Sequence, residues 1–259
     1  MLQTRVMPCL LLDEGRLVKT TQFKKPRYVG DPINAVRIYN EKEVDEIIIL
    51  DITASEKNKS INFELLEQIT SECFIPVTYG GGVKSVDDFK KLYKIGIEKV
   101  SINSAAIKDA SLIPKAVNIF GSQSVMVTMD IKRRLISKKY SVYKSRGKKA
   151  LKISPIEYAK KVQDLGAGEL MINFIESEGT WSGFDIDILS QITQAINIPV
   201  IAVGGAGNNQ HIQEAVIKGG ASAIAIGSIA VFQGKDLGVL IRFPKQKELE
   251  YLFHVKDNE

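Results

Sequence analysis

Short apolar runs alternate along this chain with stretches whose apolar residues recur every three to four positions. Residues 5–12, 46–51, 77–80, 99–102, 125–130, 170–174, 200–203 and 223–226 read as eight strands. Residues 32–39, 63–70, 86–95, 111–120, 155–165, 185–196 and 210–218 carry the helical period between them. A last helix is expected either through residues 238–240 or from near Pro244. Strict alternation of strand and helix implies parallel strands, because a parallel pair needs a crossover. Residues 132–152 are basic and polar, and they read as either a hairpin over one mouth of the sheet or a mobile loop.

The chain also repeats itself. Gln68-Ile69-Thr70 recurs as Gln191-Ile192-Thr193, Ile75-Pro76-Val77 as Ile198-Pro199-Val200, and Gly81-Gly82 as Gly204-Gly205, each 123 residues on. Glu46 meets Glu169 at the same offset. Eight units with a half-chain repeat predict a (β/α)8 TIM barrel, one domain over residues 1–259 with halves near 1–122 and 123–245. An open doubly wound sheet leaves the repeat unexplained. Val6-Met7 matches Val125-Met126 at an offset of 119, which pairs Leu11 with Asp130. One half offers an acid where the other offers a leucine.

With 259 residues, 44% of them apolar, the chain can bury a full core. No run of eighteen apolar residues is present, so no transmembrane span is expected, and the first dozen residues read as a strand, not a signal peptide. Cys9 and Cys73 lack metal or redox spacing and are expected to be buried free thiols of a cytoplasmic protein. The net charge is +5, with basic pairs such as Lys57/Lys59, Lys138/Lys139 and Lys148/Lys149 scattered along the chain. Aromatic residues are not interleaved with them, so solvated faces come first, a rim around a small anion second, and nucleic acid last.

Barrel enzymes gather their chemistry where the strands end. Asp13, Lys19, Asp51, Thr53, Asn103, Ser104, Asp130, Asn173, Glu178 and Gly179 fall at or beyond strand ends; Arg5, Glu46, Lys99 and Glu169 fall at strand starts, on the opposite mouth. Tyr79-Gly80-Gly81-Gly82 and Val203-Gly204-Gly205-Ala206-Gly207 each precede a helix, and Asn103-Ser104 and Gly227-Ser228 follow one strand later. Glycines let backbone N–H groups approach an anion, and a helix start adds partial positive charge. Two phosphate sites are therefore expected, spanned by a ligand with a phosphate at each end; tight structural turns are the plain alternative. Asp130 can take or give a proton at the mouth. Asp13, two residues beyond Leu11, can face the same way by alternation, and Asp51 is a further carboxylate.

From Met1 to about Phe232 the chain resembles the HisF family, the cyclase subunits of imidazole glycerol phosphate synthase. The segments that carry this include Gly15-Arg16…Val18-Lys19, Gly30-Asp31-Pro32, Leu50-Asp51-Ile52-Thr53-Ala54-Ser55, Gly80-Gly81-Gly82, Lys99-Val100-Ser101-Ile102-Asn103, Glu178-Gly179-Thr180 and Gly204-Gly205-Ala206-Gly207. The phosphoribosyl isomerase of the same pathway shares the glycine clusters but lacks the Leu50 to Ser55 run and the Lys99 position. The resemblance implies a HisH-like glutaminase at the N-terminal face, whose ammonia crosses the barrel interior to a ligand with two phosphates. It implies an ammonia gate of Arg5, Glu46, Lys99 and Glu169, for which a plain salt-bridge ring is the alternative, and Glu98 facing the glutaminase. It implies ligand contacts at Lys19, Asp51, Gly82, Asn103, Ser104, Glu178, Gly179, Gly205, Gly227 and Ser228. No cofactor, metal, membrane or nucleic acid is implied.

The departures from the family pattern narrow the chemistry. Of the family's two catalytic aspartates, Asp130 stands and the other is Leu11. The Asp-x-Asp-Gly-Thr loop reads Glu176-Ser177-Glu178-Gly179-Thr180, a family serine is Val203, and a family threonine is Asn173. Losing a general acid–base group costs on the order of 100- to 10,000-fold in rate. The expectation is therefore a paralogue of the kind found in surface-glycan clusters, feeding ammonia to a third, amidating protein that makes an acetamidino sugar. A histidine-pathway cyclase using Asp13 or Asp51, and a non-catalytic scaffold that activates a glutaminase, are the alternatives.

Overall fold

A computed structural model describes residues 4–54, 59–234, 238–245, 248–249 and 252–253. Ser55 and Lys57 lie outside these residues. Eight parallel strands form the centre: β1 (Arg5–Asp13), β2 (Ile47–Asp51), β3 (Val77–Gly80), β4 (Lys99–Ile102), β5 (Val125–Arg133), β6 (Glu169–Phe174), β7 (Val200–Val203) and β8 (Ala223–Ile226). Each pairs with its successor, and β8 pairs with β1, so the sheet closes into a barrel. The crossovers carry α1 (Pro32–Glu41), α2 (Phe63–Ser71), α3 (Val86–Lys94), α4 (Leu112–Phe120), α5 (Pro155–Asp164), α6 (Ile186–Ala195) and α7 (Asn209–Ile217). The fold is a (β/α)8 barrel, as the alternation of the sequence demands.

Local chemistry starts the helices where the strands release the chain. Pro32 opens α1 behind Asp31, whose side chain accepts from Asn34 N, and Ser85 with Asp88 closes a reciprocal capping box at α3. The strands are buried on both faces. Their outward residues pack under the helices, while Met7, Cys9, Ile48, Met126, Met171, Ile201, Ala223 and Ala225 fill the barrel interior.

The register makes the half-chain repeat concrete. Leu11 pairs with Leu50, and Asp130 with Asn173, so both members of the 119-residue pair stand at inward positions one half-barrel apart. Ile48 and Leu50 match Met171 and Asn173 at 123 in the same way.

Two hairpins rise beyond the strand ends. The strands Arg16–Thr21 and Lys24–Gly30 fold back antiparallel onto β1, an insertion the apolar pattern does not announce. β5 continues into an antiparallel pair with Tyr140–Lys144, which pairs in turn with Lys149–Ala150; residues 132–152 are a hairpin, not a mobile loop. The helix expected through residues 238–240 is instead a strand, Gly238–Val239 against Phe232–Gln233, turned by Gly234 at positive φ. Residues 248–249 and 252–253 are helical.

Candidate active site

A cavity of about 160 Å³ opens at the strand C-terminal ends, and Leu11, Lys19, Asp51, Asn103 and Asp130 are among the residues that line it. A smaller one, about 30 Å³, lies against Gly205, Gly227 and Ser228 and shares Lys19, Glu178 and Val203 with the first. The two glycine clusters thus sit in two adjoining hollows, joined at Lys19.

Asp130 projects inward from β5 and is 8% exposed. Burial pushes its carboxyl up to about 7, and hydrogen bonds from Asn103 and Asn173 pull the other way. The Asn103 Nδ2 amide donates to Asp130 Oδ2 at 2.9 Å. Among the described residues, the Oδ1 atoms of Asn103 and Asn173 are buried without a hydrogen-bond donor. Asn103, expected as a ligand contact, therefore uses its amide to hold the acid. A carboxyl titrating near neutrality can serve as general acid or general base.

Leu11 occupies the position facing the cavity from β1 and is 8% exposed. Asp13 is not among the cavity-lining residues. It sits opposite Arg16 where β1 turns into the first hairpin, which carries it off the cavity wall. Asp51 does line the cavity, but its Oδ1 accepts from Thr53 N, Thr53 Oγ1 and Ala54 N at 2.9–3.0 Å. That oxygen holds the β2 turn. A Cβ on Gly81, at φ +128, would stand 2.5 Å from the Asp51 carbonyl oxygen, so only glycine lets the two loops meet.

Lys19 comes from the hairpin folded over the mouth and is 5% exposed. Its ammonium has one hydrogen bond among the described residues, to Cys9 O at 3.4 Å, and no carboxylate within ion-pair distance. A Cβ on Gly227 would fall 2.3 Å from this Nζ, so the glycine makes the space the lysine fills. Glu178, read as a ligand contact, lines both hollows and also holds the hairpin. Oε1 accepts from Thr20 Oγ1 at 2.9 Å and Oε2 from Phe23 N at 3.0 Å, which latches the first hairpin to the far half of the barrel. Gly179 packs under the same hairpin; a Cβ there would lie 2.4 Å from Thr20 O.

The helix starts with open N–H groups are not those directly after the glycine clusters. α3 is closed by Ser85 and Asp88, and α7 by Asn208. The short helices Ser104–Lys108 and Ser228–Val231 have no side-chain cap, and their first residues line the larger and the smaller hollow respectively.

At the opposite mouth the four charged residues form a closed ring. Arg5 donates to Glu46 at 2.7 Å and to Glu169 at 2.6 Å; Lys99 lies 2.7 Å from Glu169 and 3.4 Å from Glu46. Thr78 Oγ1 donates to the remaining oxygen of Glu46. Burial works against the charge of Arg5, yet Glu169 and Glu46 outweigh it and hold the guanidinium pKa above its ordinary value. Between ring and cavity the barrel interior is packed with the inner apolar cluster, and the Ser101 and Thr128 hydroxyls lie 2.6 Å apart at its upper end. Glu98 is exposed beside the ring, and Phe74, 89% exposed in the loop before β3, lies on the same face without any signal in the apolar pattern. Cys9 lies in the packed barrel interior with its thiol pushed up to about 11 by burial, while Cys73 is half-buried, not buried as expected.

The chain matches a family model described as "Histidine biosynthesis protein" over residues 5–236. It is 45% identical over 250 residues to a Pseudomonas aeruginosa protein named "Putative imidazole glycerol phosphate synthase subunit hisF2", covering 96% of this chain and 99% of that one. It is 42% identical to "Putative imidazole glycerol phosphate synthase subunit HisF" of Leptospira borgpetersenii, over 98% of this chain and all of the other. To "Imidazole glycerol phosphate synthase subunit HisF" of Methanococcus maripaludis it is 40% identical, covering 88% of this chain and 91% of the relative. With this coverage and a (β/α)8 barrel, the chain belongs to the histidine biosynthesis protein family, as a member of its HisF group.

Proposed function

We propose that this chain is the synthase subunit of a glutamine amidotransferase complex that has left cyclase chemistry. A HisH-like glutaminase docks at the N-terminal face near Glu98, and its ammonia passes the Arg5–Glu46–Lys99–Glu169 ring, crosses the apolar barrel interior and reaches the upper cavity. The reading rests on one observation above all: in the upper cavity, above an apolar barrel interior, Asp130 is the acid raised toward neutrality, and Leu11 stands in the matching position of the other half. Neutral ammonia crosses an apolar interior far more readily than a hydrated ion, because a charge there loses its solvation.

With one acid instead of two, half the proton transfers of ring closure lack their group. The nitrogen is then handed on, to a third protein that amidates a surface-glycan nucleotide sugar. Names such as hisF2 among the relatives, which mark additional copies of a synthase subunit, support a paralogue. The adjoining hollows keep an anionic ligand: Lys19 supplies the buried cation, Gly82, Gly205 and Gly227 allow close backbone approach, and Ser104 and Ser228 stand at uncapped helix starts.

The alternative of a working cyclase draws on the Asp130 pKa of about 7, which suits one residue to serve as acid and base in turn. Two assays separate the readings. Imidazole glycerol phosphate formation from the bisphosphate substrate with saturating ammonium chloride is expected to be absent, while a HisH-like glutaminase is expected to be stimulated by the purified chain. Turnover at ordinary enzyme rates would establish the cyclase instead. An unstimulated glutaminase would remove the amidotransferase reading.

A further inference from the structure

The strongest unexplained feature lies in the hairpin that continues β5 over the cavity. Residues 132–152 hold ten Lys or Arg and no Asp or Glu, in a chain whose whole excess of positive charge is five. The remainder is therefore net acidic, and the basic character of the protein resides in this one element.

Its apex carries two adjacent aliphatic side chains in solvent, Leu135 at 85% and Ile136 at 98% exposure. A single exposed aliphatic residue is ordinary, but a pair at the tip of a charged protrusion calls for a cover. The tip has a built shape. Arg134 N donates to Lys139 O at 2.9 Å and Lys138 N to Arg134 O at 3.0 Å, closing the turn. The Arg134 guanidinium donates to Ser141 Oγ at 2.6 Å and Leu151 O at 2.7 Å, tying the apex to its base.

We infer that this hairpin is the docking element for a partner protein with an acidic face and an apolar socket, seated over the upper cavity. The inference rests on the reading that nitrogen leaves through that mouth. Charge complementarity selects the acidic face. Lys138 and Lys139 flank the apolar pair and have no side-chain partner among the described residues, whereas Arg133 is already paired with Asp185 and Tyr140 packs against it. Arg146 of the same hairpin lines the cavity, so a protein held here covers the opening.

A lipid surface fits less well. Membrane-binding basic segments bring about four to eight cations to the headgroups, while among the described residues two lysines without a side-chain partner stand beside this apex. Nucleic acid lacks its stacking platform, because no aromatic side chain stands at the tip.

The test places a photo-crosslinking benzoylphenylalanine at position 136 of the full chain, in cells that naturally make it. The same is done in a K138E/K139E background. Expected is a discrete adduct with a protein of acidic isoelectric point, weakened at least about five-fold by the charge reversal. No adduct, an adduct with lipid or nucleic acid, or a protein adduct indifferent to K138E/K139E would overturn the inference. The purified L135D/I136D variant keeps its thermal stability and its stimulation of a HisH-like glutaminase, because these side chains touch neither core nor ring. A glutaminase unmoved by wild type, with the charge-dependent adduct still formed, would sink the amidotransferase reading and leave the docking surface standing.

Discussion

Leu11 and Asp130 face one cavity from strands that hold equivalent places in the two halves of the barrel. The two halves thus differ by an acid at the point where protons would be exchanged, and beside it Leu50 stands where the other half has Asn173. Leu11→Asp is expected to raise product formation from the bisphosphate substrate and ammonium, from near zero to a measurable rate. The new carboxylate would lose solvation in a nearly buried position, at a cost of roughly 1–3 kcal/mol in unfolding experiments. An unchanged rate with the fold intact would show that Asn173 and Val203 also keep the site from cyclising.

Asp130 makes stability depend on pH in a defined direction. Its pKa of about 7, against 3.8 for an ordinary aspartate, means that the folded protein keeps a proton the unfolded chain releases between those values. Stability linked to this group is therefore full below pH 3.8 and is lost as pH rises to 7. Asp130→Asn removes that loss. Urea unfolding should find the variant more stable than wild type by up to roughly 4 kcal/mol at pH 8, shrinking toward zero near pH 4. A difference that does not vary with pH would contradict a buried, proton-holding Asp130.

Two glycines with close neighbours should behave differently. In Gly81→Ala the new Cβ meets the Asp51 backbone at a positive φ, so a loss of about 2 kcal/mol or more is expected. In Gly227→Ala the Cβ meets only the end of the Lys19 side chain, at a φ of −107. That variant should lose under about 1 kcal/mol of stability, yet its thermal protection by phosphate should fall, because the ammonium is displaced. Equal phosphate protection in Gly227→Ala and wild type would remove Lys19 from the anion site.

Glu178→Gln should loosen the first hairpin. The amide keeps one acceptor for Thr20 but turns an NH2 toward the Phe23 N–H, so about 1–2 kcal/mol is lost locally. Limited trypsin digestion at the exposed Lys24 and Arg27 should speed up, well before global unfolding. Cleavage at the wild-type rate would mean that other contacts hold the hairpin.

All eight barrel strands were legible because their residues are buried on both faces, leaving short continuous apolar runs between helical periods. The placement of Arg5, Glu46, Lys99 and Glu169 at one mouth was legible for the converse reason, because they interrupt those runs at their starts, while their joining in a ring came from the family resemblance. The first hairpin was not legible. Its outer strand, Lys24–Gly30, is exposed over its first five residues, so alternation is lost, and the latch that holds it comes from Glu178, more than 150 residues away. The same distance hid the part Glu178 plays in holding the hairpin. The open helix starts were misplaced because a glycine cluster before a helix reads as an anion site, until Asp88 and Asn208 are seen to occupy those helix ends.

Lys19 and Gly227 are 208 residues apart in sequence, yet they share one wall of the smaller hollow. The eighth strand slots between the seventh and the first, so nearly the whole chain must leave the ribosome before that wall exists. Until then the nascent protein carries two unpaired strand edges, a state prone to sticking to other chains. A message cut short upstream of residue 223 would therefore yield an aggregating fragment, not a weakened subunit, and the cell would meet the fault as a quality-control problem before it met it as a metabolic one.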